Sequence, residues 1–242
     1  MKKLFKFPAL PLLCLSFVIL MSCEKKEDLN VEVSLQPGQL MEVKAIFPKV
    51  SETKLTDFVS DNSSVVMIRN SKIETLRPGQ TKIHNGKCTA DITVEPYDGP
   101  APYVLPAGIK PNVPQDKVLQ IMKNYGTPSE TSQYYTYTFC RILTYTNFPG
   151  TKKISFYFDE RLGNSDSTRK LVFITVEPES STSTVLAYLL TNCTLAPVNT
   201  NGATSIFGGN RYLESSEGWY IKSEGNTSWK TVKYCAPGYD FV

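Results

Sequence analysis

The chain of 242 residues contains a single histidine, His84, and only two tryptophans, Trp219 and Trp229. A Ser-His-Asp or Cys-His nucleophile set needs an imidazole as base. His84-Asn85-Gly86 reads instead as a surface turn, so nucleophilic hydrolysis lacks a placed base. One imidazole also excludes a histidine zinc site, and Cys88, Cys140, Cys193 and Cys235 are widely spaced singles, not two close pairs. Phe207-Gly208-Gly209-Asn210 lacks the lysine and the strand-helix setting of a phosphate-cradling loop. No metal and no cofactor is expected. Basic excess is missing too: residues 1–22 hold three of the 26 basic residues, which leaves 23 basic against 23 acidic residues from position 23 onward. Polyanion binding needs a clear positive surplus or stripe, so nucleic acid is not an expected partner.

The one long apolar run, residues 7–21, is too short to span a bilayer. Lys2, Lys3 and Lys6 precede it, which gives the basic and apolar regions of a signal peptide over residues 1–22. Leu20-Met21-Ser22-Cys23 then places a thiol where the apolar run ends, and it resembles the lipobox of bacterial lipoproteins, with Met21 a mild departure. The resemblance implies that Cys23 is lipidated and becomes the mature N-terminus, anchoring the protein to a membrane by acyl chains. The charged stretch Glu24-Lys25-Lys26-Glu27-Asp28 lies in a tether over residues 23–29. It is similar to the surface-export signals of Bacteroidota lipoproteins, which implies an outer-membrane protein on the cell surface.

Residues 30–96 carry short alternating runs, VEVSL, MEVKAIF, SVVMI, KIETL, TKI and DITV, separated by turn-forming pairs. That texture predicts an all-β sandwich. The opening strand and turn at Leu35 to Gln39, the serine-rich corner from Ser60 to Val65 and the stretch from Asn70 to Ile83 resemble the bacterial Ig-like group 2 family, with Phe58 where tryptophan is frequent and Ser71 where glycine usually sits. The resemblance implies a spacer or adhesive stalk. Residues 97–112 hold Pro100, Pro102, Pro106 and Pro111, which neither a helix nor a central strand accommodates, and read as a semi-rigid linker.

Residues 113–242 change texture. Residues 113–126 predict a helix with Pro114 at its start, Val118, Ile121, Met122 and Tyr125 on one stripe, and Gly126 and Pro128 beyond its end. QYYTYTFCRILTYT then reads as one long strand, and ISFYF pairs with KLVFITVE in an antiparallel sheet with one buried face. A second helix over residues 184–193 leads into the hairpin WYIKSEGNTSWKTVKYC, turning at residues 224–227. The expected fold is therefore multidomain: an N-terminal all-β Ig-like sandwich, then an α+β domain of antiparallel sheets and two helices with the helix-sheet order repeated. Tyr125-Gly126-Thr127-Pro128 and the strand end Tyr157-Phe158-Asp159 resemble, weakly, the duplicated units of β-lactamase-inhibitor-like lipoproteins.

Asp159, Glu160 and Asp166 share one loop, where acidic residues ordinarily serve turns and solubility rather than glycoside hydrolysis. The protein is expected not to be an enzyme. Aromatics offer another route, because exposed tyrosine and tryptophan on a rigid sheet stack sugars or anchor a protein partner. Two groups stand out: Tyr134, Tyr135, Tyr137, Phe139 and Tyr145, and the hairpin's Trp219, Tyr220, Trp229 and Tyr234 with Tyr239 beyond. The candidate ligand-binding residues are Trp229, Trp219 and Tyr220, with Trp229 beside the turn and its truncation expected to cost less than about 1 kcal/mol. Adhesion or glycan capture is the leading expectation; docking of the sheet onto another protein, as an inhibitor or assembly factor, is the alternative, and a carboxylate hydrolase is the weakest. If one disulfide exists, Cys193 with Cys235 is the pair expected. Asp166-Ser167-Thr168 resembles the Bacteroidota O-glycosylation acceptor, with Ser167 the modified residue.

Overall fold

The computed structural model describes residues 29–86, 88–135, 138–162, 164–195, 213–223 and 229–239. Cys23, Tyr137, the segment at 207–210 and the predicted turn at 224–227 lie outside them. The chain is mostly β, with 15 strands in three sheets and few helices among the described residues.

The first seven strands are β1 (Leu29–Leu35), β2 (Leu40–Glu42), β3 (Val59–Ser60), β4 (Val66–Arg69), β5 (Lys72–Thr75), β6 (Gly79–His84) and β7 (Cys88–Val94). They form a four-stranded sheet in the order β1-β7-β6-β3, with β1 parallel to β7, and a three-stranded antiparallel sheet in the order β2-β5-β4. One apolar cluster draws Leu35, Ile83 and Ile92 from the first sheet and Val66 and Ile73 from the second. Two single helical turns, α1 (Val43–Ile46) and α2 (Glu52–Leu55), add Val43 and Leu55 to that cluster. Phe58 stacks on Phe47 inside it, ring centroids 4.7 Å apart. MEVKAIF, expected as a strand, is thus split: pairing ends at Glu42 and α1 begins. Val43 and Phe47, both buried, are four apart, a spacing that satisfies strand and helix periods alike.

The remaining elements are α3 (Gln115–Met122), β8 (Ser129–Tyr135), β9 (Thr138–Tyr145), β10 (Thr151–Asp159), β11 (Lys170–Pro178), α4 (Thr182–Asn192), β12 (Thr194–Leu195), β13 (Leu213–Glu214), β14 (Tyr220–Ser223) and β15 (Val232–Cys235). Pro114, extended, leads into α3, and Gly126, at φ +92°, follows the 3-10 turn that ends it. At α4 the Ser181 hydroxyl accepts the Thr184 N–H at 3.3 Å, an N-cap that sets the helix start. Both helices feed Val118, Met122, Val185, Leu186, Leu189 and Leu190 into the large core.

All eight of these strands join one antiparallel sheet, in the order β12-β13-β14-β15-β11-β10-β9-β8. The two sheets expected after the linker are therefore one, fused where β11 pairs with β15, Phe173 opposite Cys235. The run read as a single long strand is the hairpin β8/β9, with Tyr134 opposite Phe139. Uninterrupted alternation concealed that turn. The sheet is also buried on both faces at its centre, not on one. Leu143, Ile154, Phe156, Phe158, Ile174 and Val176 face the helices, while Cys140, Ile142, Tyr157, Val172, Phe173 and Cys235 form a second cluster against Tyr135, Tyr220 and Tyr239.

The proline-rich residues 97–112 are docked onto this body. Tyr103 and Ile109 belong to the large core, the Tyr103 and Tyr234 hydroxyls are 2.8 Å apart, and the Trp219 indole N–H donates to the Ile109 carbonyl at 3.2 Å. Gly150, at φ +74°, lets the chain pass Pro102 so closely that a Cβ there would lie 2.1 Å from its carbonyl oxygen.

Candidate recognition surface

The residues singled out in the sequence divide sharply by exposure. Trp219 and Trp229 are both core residues of the large cluster, Trp229 with 3 % of its surface exposed. Neither offers a flat face to solvent, which corrects the reading of the hairpin as a stacking platform. The physical reason is the strand face: Trp219 and Ile221 share the helix side of the sheet, which is covered, and the Trp229 N–H turns in to the Ser223 hydroxyl at 2.9 Å. Tyr220 lies on the opposite side, half-buried against the second cluster. Cys193 sits in the helix-side core and Cys235 in the cluster on the opposite face of the sheet, so the two are not bonded to each other and the expected pairing is also corrected. Ser167 is exposed in a turn, its hydroxyl 3.2 Å from that of Ser165.

The three loop carboxylates are committed to arginines. Asp159, fully buried at the end of β10, accepts from the Arg161 side chain at 2.8 and 3.1 Å and from the Tyr239 hydroxyl at 2.9 Å. Asp166 pairs with Arg169 at 2.9 Å, and Glu160 lies 3.7 Å from the same guanidinium. Burial alone would raise the Asp159 pKa, but the Arg161 and Tyr239 hydrogen bonds outweigh it and hold the carboxyl below its usual value. A glycosidase acid needs the opposite shift. Thiol chemistry is disfavoured in the same region: burial, then the Asp159 charge, pushes the Cys140 thiol up to about 12, and burial takes Cys193 to about 11. His84, at the end of β6, is 3.0 Å from Asp61 on the surface.

Lys233 is buried on the second face, its ammonium 4.5 Å from the Tyr135 ring centroid and 4.8 Å from that of Phe173. Tyr157, Phe173 and Tyr239 pack edge to face around the same spot. This is an aromatic, polar-studded interior that stiffens the sheet behind its outer end.

That end carries the exposed aromatics. Tyr134 on β8 is 68 % exposed, and its cross-strand partner Phe139 on β9 is 44 % exposed. Phe139 is on the helix side of β9, the side of Leu143 and Tyr145, but beyond the covered core. Half-exposed Leu162 sits in the 3-10 turn Glu160–Leu162, which packs on β9. Charge surrounds the aromatics. Arg141, opposite Ser132, bonds to Glu130, and the Ser132 hydroxyl donates to Glu160 at 3.4 Å. A mixed apolar and charged patch on a rigid sheet end is the composition of a protein contact. Tyr134 and Phe139 were legible as aromatics; the signal that sets them apart is the polar run SETSQ just before them, which marks β8 as a solvent-washed edge.

Comparison with known proteins gives no relative: no family model matches the chain, and neither a curated protein nor a solved structure does.

Proposed function

We propose that the protein is a lipid-anchored envelope protein, displayed on the cell surface, that recognises a protein partner without catalysis through the Tyr134-Phe139 end of its long sheet. The observation that carries this reading is the cross-strand pair itself: two aromatics directly opposite each other, both open to solvent, on strands held by a doubly buried sheet. Such a pair loses little entropy on binding and offers a large apolar contact beside a hydroxyl. In this reading residues 1–22 are a lipoprotein signal peptide, Cys23 carries the lipid, and residues 30–96 are an Ig-like sandwich that lifts an α+β recognition domain off the membrane. Protein docking gains over glycan capture because the two tryptophans suited to stacking a sugar are in the core, whereas the open patch is ringed by Arg141, Glu130 and Glu160.

A photo-reactive phenylalanine analogue placed at Tyr134 or Phe139 tests this in the native envelope, with exposed Lys152 as the control position. Adducts with a polypeptide other than this chain are expected from 134 and 139 and not from 152. No such adduct, together with retention of an envelope polysaccharide on immobilised protein that Tyr134→Ala abolishes, would instead establish the glycan reading.

A further inference from the structure

The edge that carries Tyr134 has a property of its own. Among the described residues β8 is the last strand of the eight-stranded sheet, so alternate residues along Ser129–Tyr135 aim their backbone N–H and C=O groups away from β9. Proteins ordinarily blunt such edges by shortness, proline, lysine or a bulge. Among the described residues the opposite edge, β12, follows that rule with two residues. β8 does not: it runs seven residues without proline or lysine, and its pairing with β9 is continuous from Ser129 to Tyr135, whereas β10 shifts register twice against β11. A long, regular, open edge is a template for another strand.

We propose that this edge pairs with itself: β8 of one copy lies antiparallel to β8 of a second copy, with the two-fold axis perpendicular to the sheet at Ser132. The sequence of β8 suits that register. Ser132 meets Ser132, Thr131 meets Gln133, Glu130 meets Tyr134, and Ser129 meets Tyr135. No like charges oppose each other, which is the arrangement that would penalise the pairing. Thr131 with Gln133 on one face, and Glu130 with the Tyr134 hydroxyl on the other, are hydrogen-bonding couples. Glu130 is the strand's single charge, already balanced by Arg141 of its own chain. Arg141 bonds to Glu130, which in this register faces the second copy's Tyr134, so guanidinium, carboxylate and phenol share one face of the seam. The result is a continuous sheet of sixteen strands, with about six new main-chain hydrogen bonds across the seam.

Because the axis is perpendicular to the sheet, both Tyr134-Phe139 pairs fall on one face, flanking the seam. On the recognition reading given above, which this consequence rests on, the pair becomes a two-site surface and gains avidity without new contacts per site.

Thiol cross-linking of the full chain in the envelope tests the register. Ser132→Cys is expected to give a species of twice the mass with a short thiol-thiol cross-linker, since directly opposed Cβ atoms lie about 5 Å apart. Ser129→Cys is expected to give none, because in this register its two copies are offset by about 20 Å along the strands. Ser132→Lys is expected to abolish pairing by opposing like charges, and co-expression of Ser132→Lys with Ser132→Glu chains to restore it as a mixed pair. The proposal is overturned if Ser132→Cys stays at single mass, or if Ser129→Cys links equally well. Recognition and pairing fail separately: Tyr134 adducts with another protein alongside an unlinked Ser132→Cys would sink the pairing alone, and a linked Ser132→Cys without foreign adducts would sink the recognition alone.

Discussion

Trp229 offers a sharp test of the packing, because three substitutions there separate three physical terms. The indole is 3 % exposed within the large core, so Trp229→Ala removes a large buried ring and leaves a cavity, a change that costs about 3–5 kcal/mol. Its indole nitrogen finds no acceptor among the described residues. A buried, unsatisfied donor costs about 1–3 kcal/mol, so Trp229→Phe, which keeps most of the apolar ring and deletes the N–H, is expected to lose only about 1–2 kcal/mol. The backbone supplies the third term. Trp229 sits at φ +44°, in the left-handed region that a bulky side chain avoids. Glycine relieves that strain by about 1 kcal/mol, so Trp229→Gly is expected to be no less stable than Trp229→Ala despite having one carbon fewer. Urea unfolding followed by circular dichroism measures all three, with midpoints compared at constant slope. A loss below about 1 kcal/mol for the alanine variant would refute the burial of Trp229. A phenylalanine variant as unstable as the alanine one would refute the unsatisfied indole.

Asp159→Asn is expected to destabilise the protein at neutral pH by on the order of 2 kcal/mol, the scale of hydrogen bonds to a charged group. The folded-state pKa of Asp159 is depressed, so its contribution is complete above the unfolded carboxyl value of about 3.9 and disappears as pH falls through the lower folded value. The wild-type advantage should therefore shrink in unfolding curves measured below about pH 4, and an advantage constant down to pH 2 would show that the carboxylate charge is not its source. Cys23→Ala is expected to leave an uncleaved, unlipidated chain that no longer partitions into detergent with membrane lipoproteins; unchanged partitioning would remove the lipid anchor from the reading.

What the sequence disclosed and what it hid follow from period and range. Residues 113–126 and 184–193 combine a 3.6-residue stripe with a proline, serine or glycine at an end; α4 lies within two residues of its expected bounds, while α3 starts within two and ends four residues early, where a 3-10 turn over Lys123–Tyr125 takes over. ISFYF and KLVFITVE were legible as paired strands because apolar runs of that length, split by a polar loop, have few other solutions; their pairing, Phe156 opposite Ile174, is what β10 and β11 make. The β8/β9 turn was hidden because residues 133–146 alternate without glycine, proline or asparagine at the reversal. Burial on the second face was hidden for a different reason. It depends on Tyr135, Tyr220 and Tyr239, which come from remote strands and the C-terminal turn, and no local pattern records that they converge on Phe173. The same blindness misassigned the tryptophans: residue type marked them as adaptable contacts, but only the fused sheet decides which face is covered.

The first seven strands also contact the larger sheet, which bears on the reading of them as a spacer. The Pro37-Gly38 turn rests on α4, where Gly38, at φ +77°, leaves a gap that a Cβ would close to 2.8 Å from Leu186. Met67 and Leu76 enter the large core rather than the small one. The Tyr97 N–H donates to Thr191 at 3.0 Å, and the Tyr97 ring meets Tyr188 edge to face at 6.3 Å. These contacts come from the Pro37-Gly38 turn, from β4 and its neighbourhood and from the start of the proline-rich segment, and they converge largely on α4. A flexible stalk would make one contact or none. On the reading proposed above, these contacts tie residues 30–96 to the larger sheet instead of leaving them as an independent stalk. Five residues, and so six peptide bonds, separate Cys23 from Leu29, a reach of about 20 Å when fully extended. On the lipid-anchored reading proposed above, that reach bounds how far Leu29 can stand from the membrane when two copies bring their β8 edges together.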